Sequence, residues 1–178
     1  MNRLEEIRHE KDHFFLESPH SPLTHEQKAS FDGLDYFPEN LELDLTLELE
    51  EFEDKEQITM QTSTGDIQTY QRYGLVQFEV GGVPASLTIY ANQHGFFLPF
   101  VDSLAGQETY PAGRYLEPEV LPGGNVRLDF NLAYNPYCAY NDMWSCPFPP
   151  AENRLQVPVR AGEKLFQSEE AINDLHEQ

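Results

Sequence analysis

Turn signals recur at short intervals through the middle of the chain and limit it to short extended segments. Clusters rich in glycine, asparagine, serine or proline occur at residues 63–66, 74, 81–82, 92–95, 106 and 122–124. The runs beside them suit strands, and they span 57–62, 67–72, 75–80, 83–91, 96–100, 114–120, 126–130 and 155–159. This spacing, without a long helical pattern, predicts a mainly β chain folded as a single antiparallel β-barrel or β-sandwich.

Segment 41–49 adds another predicted strand. Its odd-numbered residues are all leucine, whereas its even-numbered residues are glutamate, aspartate or threonine. Leucine and glutamate favour helices, but strict alternation would scatter the leucines around a helix. Because alternation puts every leucine on one face of an extended segment, we predict a strand here.

The first 34 residues have a helical pattern instead. Residues 2–17 place one stripe on a single helix face, made of Leu4, Ile7, Lys11, Phe14 and Phe15. A Thr-x-x-Gln capping box at 24–27 then predicts a short helix that ends near Gly33. We therefore expect a helical arm, 1–34, packed on a β domain, 35–178. That domain contains a long aromatic loop, 131–153, and a short acidic tail that could form a helix from Phe166.

The chain is strongly acidic, with 31 acidic residues, 11 basic residues and a formal net charge of −20. Since the basic residues form no stripe, nucleic-acid binding and attachment to an anionic membrane are disfavoured. No apolar run approaches the roughly 18 residues needed to cross a bilayer, and the N-terminus lacks the apolar region of a secretory signal. We expect a soluble cytoplasmic protein with no nucleic-acid or membrane partner and no cofactor; the oligomeric state stays open.

Two features could indicate metal or thiol chemistry. His9 to His13 match the H-E-x-x-H pattern of zinc enzymes, but both histidines project opposite the apolar stripe, so we predict no metal site. Cys138 and Cys146 are separated by seven residues in the aromatic loop. They are either structural, redox-active as a pair, or a catalytic thiolate beside His94 or Arg114.

Polar and aromatic residues cluster around two predicted strands. The candidate ligand-binding residues are Glu108, Tyr110, Arg114, Tyr115, Asp129, Asn131, Tyr134 and Asn135. A few polar groups on an aromatic wall suit a small-molecule pocket at a barrel mouth. Asparagine and aspartate also commonly satisfy the backbone of their own loop, so a structural network is an equal alternative.

Three motifs carry a family resemblance: GQETYPAGRYL at 106–116, LDFNLAYNPYCAYN at 128–141 and CPFPPAENRLQVPVRAGEK at 146–164. They resemble the prokaryotic family known as domain of unknown function 1684 (DUF1684). The N-terminal Lys11-Asp12-x-Phe14 and Ser21-Pro22-Leu23 look like the opening of the same family. The resemblance covers most of the chain, and it implies no established activity.

Three functions remain open. The first is a small-molecule-binding β-barrel module that uses the polar-aromatic pocket. The second is a hydrolase-like enzyme, with Asp129 or Glu108 as general base and Arg114, Asn131 or Asn135 stabilising negative charge. The third is a structural or protein-interaction module. Whether the protein is an enzyme stays undecided at this point.

Overall fold

The computed structural model describes residues 1–166, which form a mainly β protein with two antiparallel sheets and few helices. Helices α1 (Arg3–Glu17) and α2 (His25–Ser30) come first. The strands follow as β1 (Asp44–Glu48), β2 (Glu50–Glu51), β3 (Gln57–Gln61), β4 (Ile67–Val80), β5 (Val83–Asn92), β6 (Gly95–Phe100), β7 (Arg114–Leu116), β8 (Glu119–Val120) and β9 (Asn125–Asp129).

The smaller sheet has the strand order β1-β9-β8, and the larger has the order β2-β4-β5-β6-β7, with β3 also pairing with β4. The long hairpin of β4 and β5 forms the centre of the larger sheet. Val80 pairs with Val83 across Gly81 and Gly82, whose φ angles of 57° and 81° allow the tight two-residue turn.

Both sheets contribute to one apolar core. Fully buried side chains of this core are Val76, Leu87, Ile89, Leu98 and Phe100 from the larger sheet, and Val126, Leu128 and Phe130 from β9 and the turn after it. Successive inward residues such as Leu87 and Ile89 lie two apart, as the alternation of a strand requires. The buried core positions β7, which supplies Tyr115 to the site described below.

Most predicted strands are confirmed, and one predicted break is not a turn. Runs 67–72 and 75–80 form the single strand β4, with a register shift between Arg72 and Gly74. A Cβ atom on Gly74 would lie 2.9 Å from the backbone oxygen of Glu50. The glycine therefore marks a close approach of two strands, which is its other common role in a sheet.

Two other predicted strands are only partly right. Residues Leu41–Leu43 form a 3₁₀ turn, with the Asn40 side chain accepting a 3.0 Å hydrogen bond from the backbone of Glu42, and only Asp44–Glu48 is strand. The predicted strand 114–120 divides into β7 and β8, which belong to different sheets. Pro118 lies at the division, where it can donate no ladder hydrogen bond.

The strand predicted at 155–159 is wrong, because this extended segment makes only a few backbone hydrogen bonds, to residues just after β6, and is otherwise held by side chains. The backbone N–H of Val159 donates to Oδ2 of Asp102 over 2.8 Å, and its carbonyl accepts from Arg114 over 2.9 Å. Two backbone hydrogen bonds join the segment to the residues after β6: the N–H of Leu155 donates to the carbonyl of Val101 over 2.7 Å, and the N–H of Ser103 donates to the carbonyl of Val157 over 3.1 Å. The segment is extended and buried but pairs with no strand.

Helix α1 confirms the predicted N-terminal helix and packs against the aromatic loop. Phe15 is 1% exposed, and its ring meets that of Tyr140 edge-on at 5.1 Å. Oδ1 of Asp12 accepts the backbone N–H of Leu34 over 3.0 Å. The Thr24 capping box is also present.

Within residues 1–166 no helix has the length and apolarity to span a membrane, and the predicted tail helix lies outside the described residues.

Candidate functional site

A cleft of about 500 Å³ opens where α1 faces the aromatic loop. Its wall consists mainly of aromatic rings and prolines, with one lysine and one cysteine. The lining residues are Lys11, Tyr115, Tyr134, Pro136, Tyr137, Trp144, Ser145, Cys146 and Pro147. We call this feature the aromatic cleft. Its size and its largely apolar wall are those of ordinary small-molecule sites.

Backbone pairing holds two of the cleft's tyrosines. Tyr115 on β7 and Tyr134 exchange backbone hydrogen bonds of 2.8 and 3.0 Å, and their rings meet edge-on at 5.9 Å. The Tyr115 hydroxyl donates to the carbonyl of Pro147 over 2.5 Å. This hydrogen bond connects the part of the wall around Pro147 to β7. Burial raises the pKa of Tyr115, so its ring stays neutral at physiological pH.

The other side of the cleft is less constrained. Trp144 meets Tyr137 edge-on at 5.0 Å, yet its side chain is 38% exposed. The neighbouring Met143 is almost fully exposed. This part of the aromatic loop therefore presents apolar surface to solvent beside the cleft.

Lys11 supplies the cationic group of the cleft. Its ammonium pairs with Glu163, which is 2% exposed, and lies 5.0 Å from the centroid of the Tyr134 ring. Oε1 of Glu163 accepts from the Tyr140 hydroxyl over 2.7 Å and from the Asn135 backbone over 3.2 Å. Because an ammonium has three donors, Lys11 keeps donors beyond the one used by Glu163.

The two cysteines lie together at one wall. Both are buried and free, and Sγ of Cys146 accepts the backbone N–H of Cys138 over 3.2 Å. The hydroxyl of Tyr110 is 3.7 Å from Sγ of Cys138. Hydrogen bonding with the Cys146 thiol lowers the pKa of Cys138 to about 6, and the same interaction raises the pKa of Cys146.

Arg114, a predicted ligand contact, lies in the interior with its donors in use. It is 1% exposed and donates to the carbonyls of Ala161, Glu163 and Val159 over 2.6, 3.0 and 2.9 Å. Its carboxylate neighbour is Asp102, at 3.7 Å, rather than Asp129 or Glu108. Burial lowers the pKa of Arg114 to about 10, which still leaves it a cation at neutral pH.

The polar residues of the predicted cluster also lie apart from the cleft. Asp129 accepts the backbone N–H of Asn131 over 3.1 Å, and the Asn131 amide pairs with both backbone groups of Asn40. Glu108 pairs with Arg160 on the surface at 3.3 Å. The structure therefore does not bring Glu108, Arg114 and Asp129 to one cavity.

Of the predicted candidates, Tyr115 and Tyr134 line the aromatic cleft directly. Tyr110 lies one contact further away, beside Cys138, whose backbone donates to the lining residue Cys146. The backbone of Asn135 donates to Glu163, the partner of Lys11. Sequence reasoning left Lys11 out of the site. The available signal was its place on the apolar stripe of α1, where a lysine must find a partner or reach solvent.

Two other depressions occur among the described residues. One of about 530 Å³ has a polar, amide-rich lining of Gln57, Gln68, Thr69, Tyr70, Gln71, Ala91, Asn92, Gln93 and His94. We call it the amide depression. A smaller one, of about 100 Å³, contains Asp129 and Arg127. Across residues 1–166 no group of three or more His, Cys, Asp or Glu side chains could hold a metal ion.

Together these features define a mainly β protein of two antiparallel sheets with an aromatic cleft beside its N-terminal helix. The chain belongs to the family described as protein of unknown function (DUF1684), whose model matches residues 29–164, and the resemblance seen in its motifs is confirmed.

One solved structure with a similar fold is the solution NMR structure of an uncharacterized protein from gene locus rrnAC0354 of Haloarcula marismortui. That protein is 37% identical, and the match has a TM-score of 0.69 and covers 91% of this chain and 92% of that chain. No curated protein matches the chain. Fold and family are thus established, and function must be argued from the site.

Proposed function

We propose that the aromatic cleft binds a small aromatic molecule that carries a hydrogen-bond acceptor. The observation that carries this proposal is the combination of a cleft of about 500 Å³, rings from Tyr115, Tyr134, Tyr137 and Trp144, and the Lys11 ammonium at its edge. Edge-to-face and stacked contacts between rings favour a planar aromatic ligand.

Lys11 limits which polar groups on a ligand the aromatic cleft can bind. Its ammonium is held over Tyr134 and against Glu163, so it is positioned before a ligand arrives. A carboxylate, sulfonate or carbonyl oxygen can accept one of its remaining donors. A polyphosphate is a poor match, because Lys11 is the one cationic residue in the lining and the chain has a net charge of −20.

Two fluorescent probes test separately the binding of aromatic rings and the recognition of an acceptor group by Lys11. The first, 8-anilinonaphthalene-1-sulfonate, has aromatic rings and an anionic acceptor; the second, N-phenyl-1-naphthylamine, has the same rings without the sulfonate. We expect both to bind, and Tyr134→Ala to weaken both. Thr69→Ala, in the amide depression, should change neither. Titrations at about 0.5 M KCl reduce long-range repulsion of the anion.

The role of Lys11 is tested with the double variant Lys11→Met/Glu163→Gln. Removing both charges leaves no unpaired buried carboxylate, and the glutamine oxygen can still accept from Tyr140 and Asn135. Binding of the sulfonate should weaken about tenfold, because one charge-assisted hydrogen bond is lost. Binding of N-phenyl-1-naphthylamine should hardly change. Equal losses for both probes, or none for either, would contradict the role given to Lys11.

A further inference from the structure

We propose that Cys138 and Cys146 form a peroxide-reactive dithiol, which closes to an intramolecular disulfide in the wall of the aromatic cleft. This inference does not depend on the ligand-binding proposal. It assigns a chemical reaction to the two cysteines of the chain and names a hydroperoxide as the oxidant.

The geometry holds the two side chains together. The 3.2 Å hydrogen bond from the Cys138 backbone N–H to Sγ of Cys146 keeps the second sulfur within reach of the first cysteine's own side chain. Both residues belong to the same buried cluster as Tyr115. A disulfide requires Cα atoms about 4.4–6.8 Å apart, a separation compatible with this hydrogen bond.

The surroundings favour a thiolate at neutral pH. The Tyr110 hydroxyl, 3.7 Å from Sγ of Cys138, can donate a hydrogen bond to a thiolate there. Burial raises the pKa of Tyr110, so its hydroxyl keeps its proton. The lowered pKa of Cys138, about 6, is the expected result of sharing a proton with Cys146.

Access comes through the aromatic cleft. Cys146 is among its lining residues, so a small hydroperoxide that enters the cleft comes up to the Cys146 side chain, which lies beside Cys138. Because Cys146 is only 7% exposed, a small oxidant reaches its sulfur more readily than a bulky one. The site therefore suits hydrogen peroxide or a small organic hydroperoxide.

The reaction balances in two steps. One sulfur of the pair, as thiolate, attacks the peroxide: an S–O bond forms, the O–O bond breaks, and the leaving oxygen takes a proton to become water or an alcohol. The second sulfur then attacks the sulfenic acid sulfur. An S–S bond forms, the S–O bond breaks, and water leaves with the second thiol's proton.

The direct test uses wild-type protein and one equivalent of hydrogen peroxide, followed by alkylation and intact mass measurement. We expect a loss of about 2 Da, no alkylated cysteine, and full reversal by dithiothreitol. The fluorescence of Trp144, the only tryptophan and within the closed loop, should change with oxidation and recover on reduction. Two alkylated thiols after peroxide treatment, or disulfides between chains, would overturn the proposal.

The pH dependence provides a second readout. Because the pKa of Cys138 is lowered, the oxidation rate should fall much less between pH 8 and pH 6 than that of an ordinary thiol. A free thiol with a pKa of about 8.5, such as that of a cysteine peptide, should lose about 75-fold over the same range. A 75-fold loss in the protein would contradict a paired thiolate.

The variant Cys146→Ser provides a further test. Its oxidation should stop at a sulfenic acid, which dimedone traps.

Discussion

Arg114 is a buried cation that organises the chain after residue 158. Its guanidinium satisfies the carbonyls of Val159, Ala161 and Glu163, and thereby places Glu163 opposite Lys11. The sequence analysis predicts Arg114 to be a ligand contact. Sequence alone could not separate this structural role from a binding role, because both use an arginine beside aromatic residues.

Replacing Arg114 by methionine should strongly destabilise the protein. The change leaves the buried carboxylate of Asp102 without the neighbouring cation and three carbonyls without the donors of Arg114, which costs about 3–5 kcal/mol in the free energy of unfolding. Urea unfolding measures this loss. Arg127→Met is the matched control, since its ion pair with Asp44 is largely exposed and should contribute less than about 1 kcal/mol. Equal losses would show that Arg114 has no special structural role.

At the scale of elements, local patterns predicted the helices and most strands. The apolar stripe of residues 2–17, the capping box at 24–27 and the strand-like run at 126–130 are local signals, and the structure has α1, α2 and β9 at these places. The prediction of a strand at 155–159 is wrong because the segment is held largely by the side chains of Asp102 and Arg114, with a few backbone bonds to residues 101–103. These partners lie about 50 residues away in sequence. No local pattern reports such long-range pairing.

The sequence predicts only part of the site, because local patterns report some of its residues and long-range contacts bring in the others. Tyr115 and Tyr134 belong to a dense aromatic pattern that can be read from the sequence. Lys11 joins them only because α1 packs across the aromatic loop, a tertiary contact that periodicity cannot reveal. Periodicity did identify the face of α1 that turns inward.

Docking of α1 should depend mainly on Phe15. Truncation to alanine removes a ring that is 1% exposed and packs on Tyr140, with an expected loss of about 3–5 kcal/mol in unfolding free energy. Phe14→Ala, at a side chain that is 38% exposed, should cost about 1 kcal/mol or less. Denaturant unfolding of the two variants makes the comparison. Similar losses would mean that α1 packs differently from this account.

At the scale of the whole molecule, the net charge of −20 opposes compactness. Screening should relieve this repulsion, so raising KCl from about 0.1 to 1 M is expected to raise the midpoint of urea unfolding. An equal osmolality of sucrose serves as the control for general solute effects. A midpoint that rises no more in KCl than in sucrose would show that repulsion between the acidic side chains is not an important term.

The most direct test of the central claim, that the aromatic cleft is the binding site, is a ¹H–¹⁵N correlation titration of the labelled protein with 8-anilinonaphthalene-1-sulfonate. We predict saturable shifts at the amides of Lys11, Tyr134, Tyr137 and residues 144–146, and at the Trp144 indole. Shifts confined to 68–71 and 91–94, around the amide depression, or shifts that never saturate, would contradict the claim.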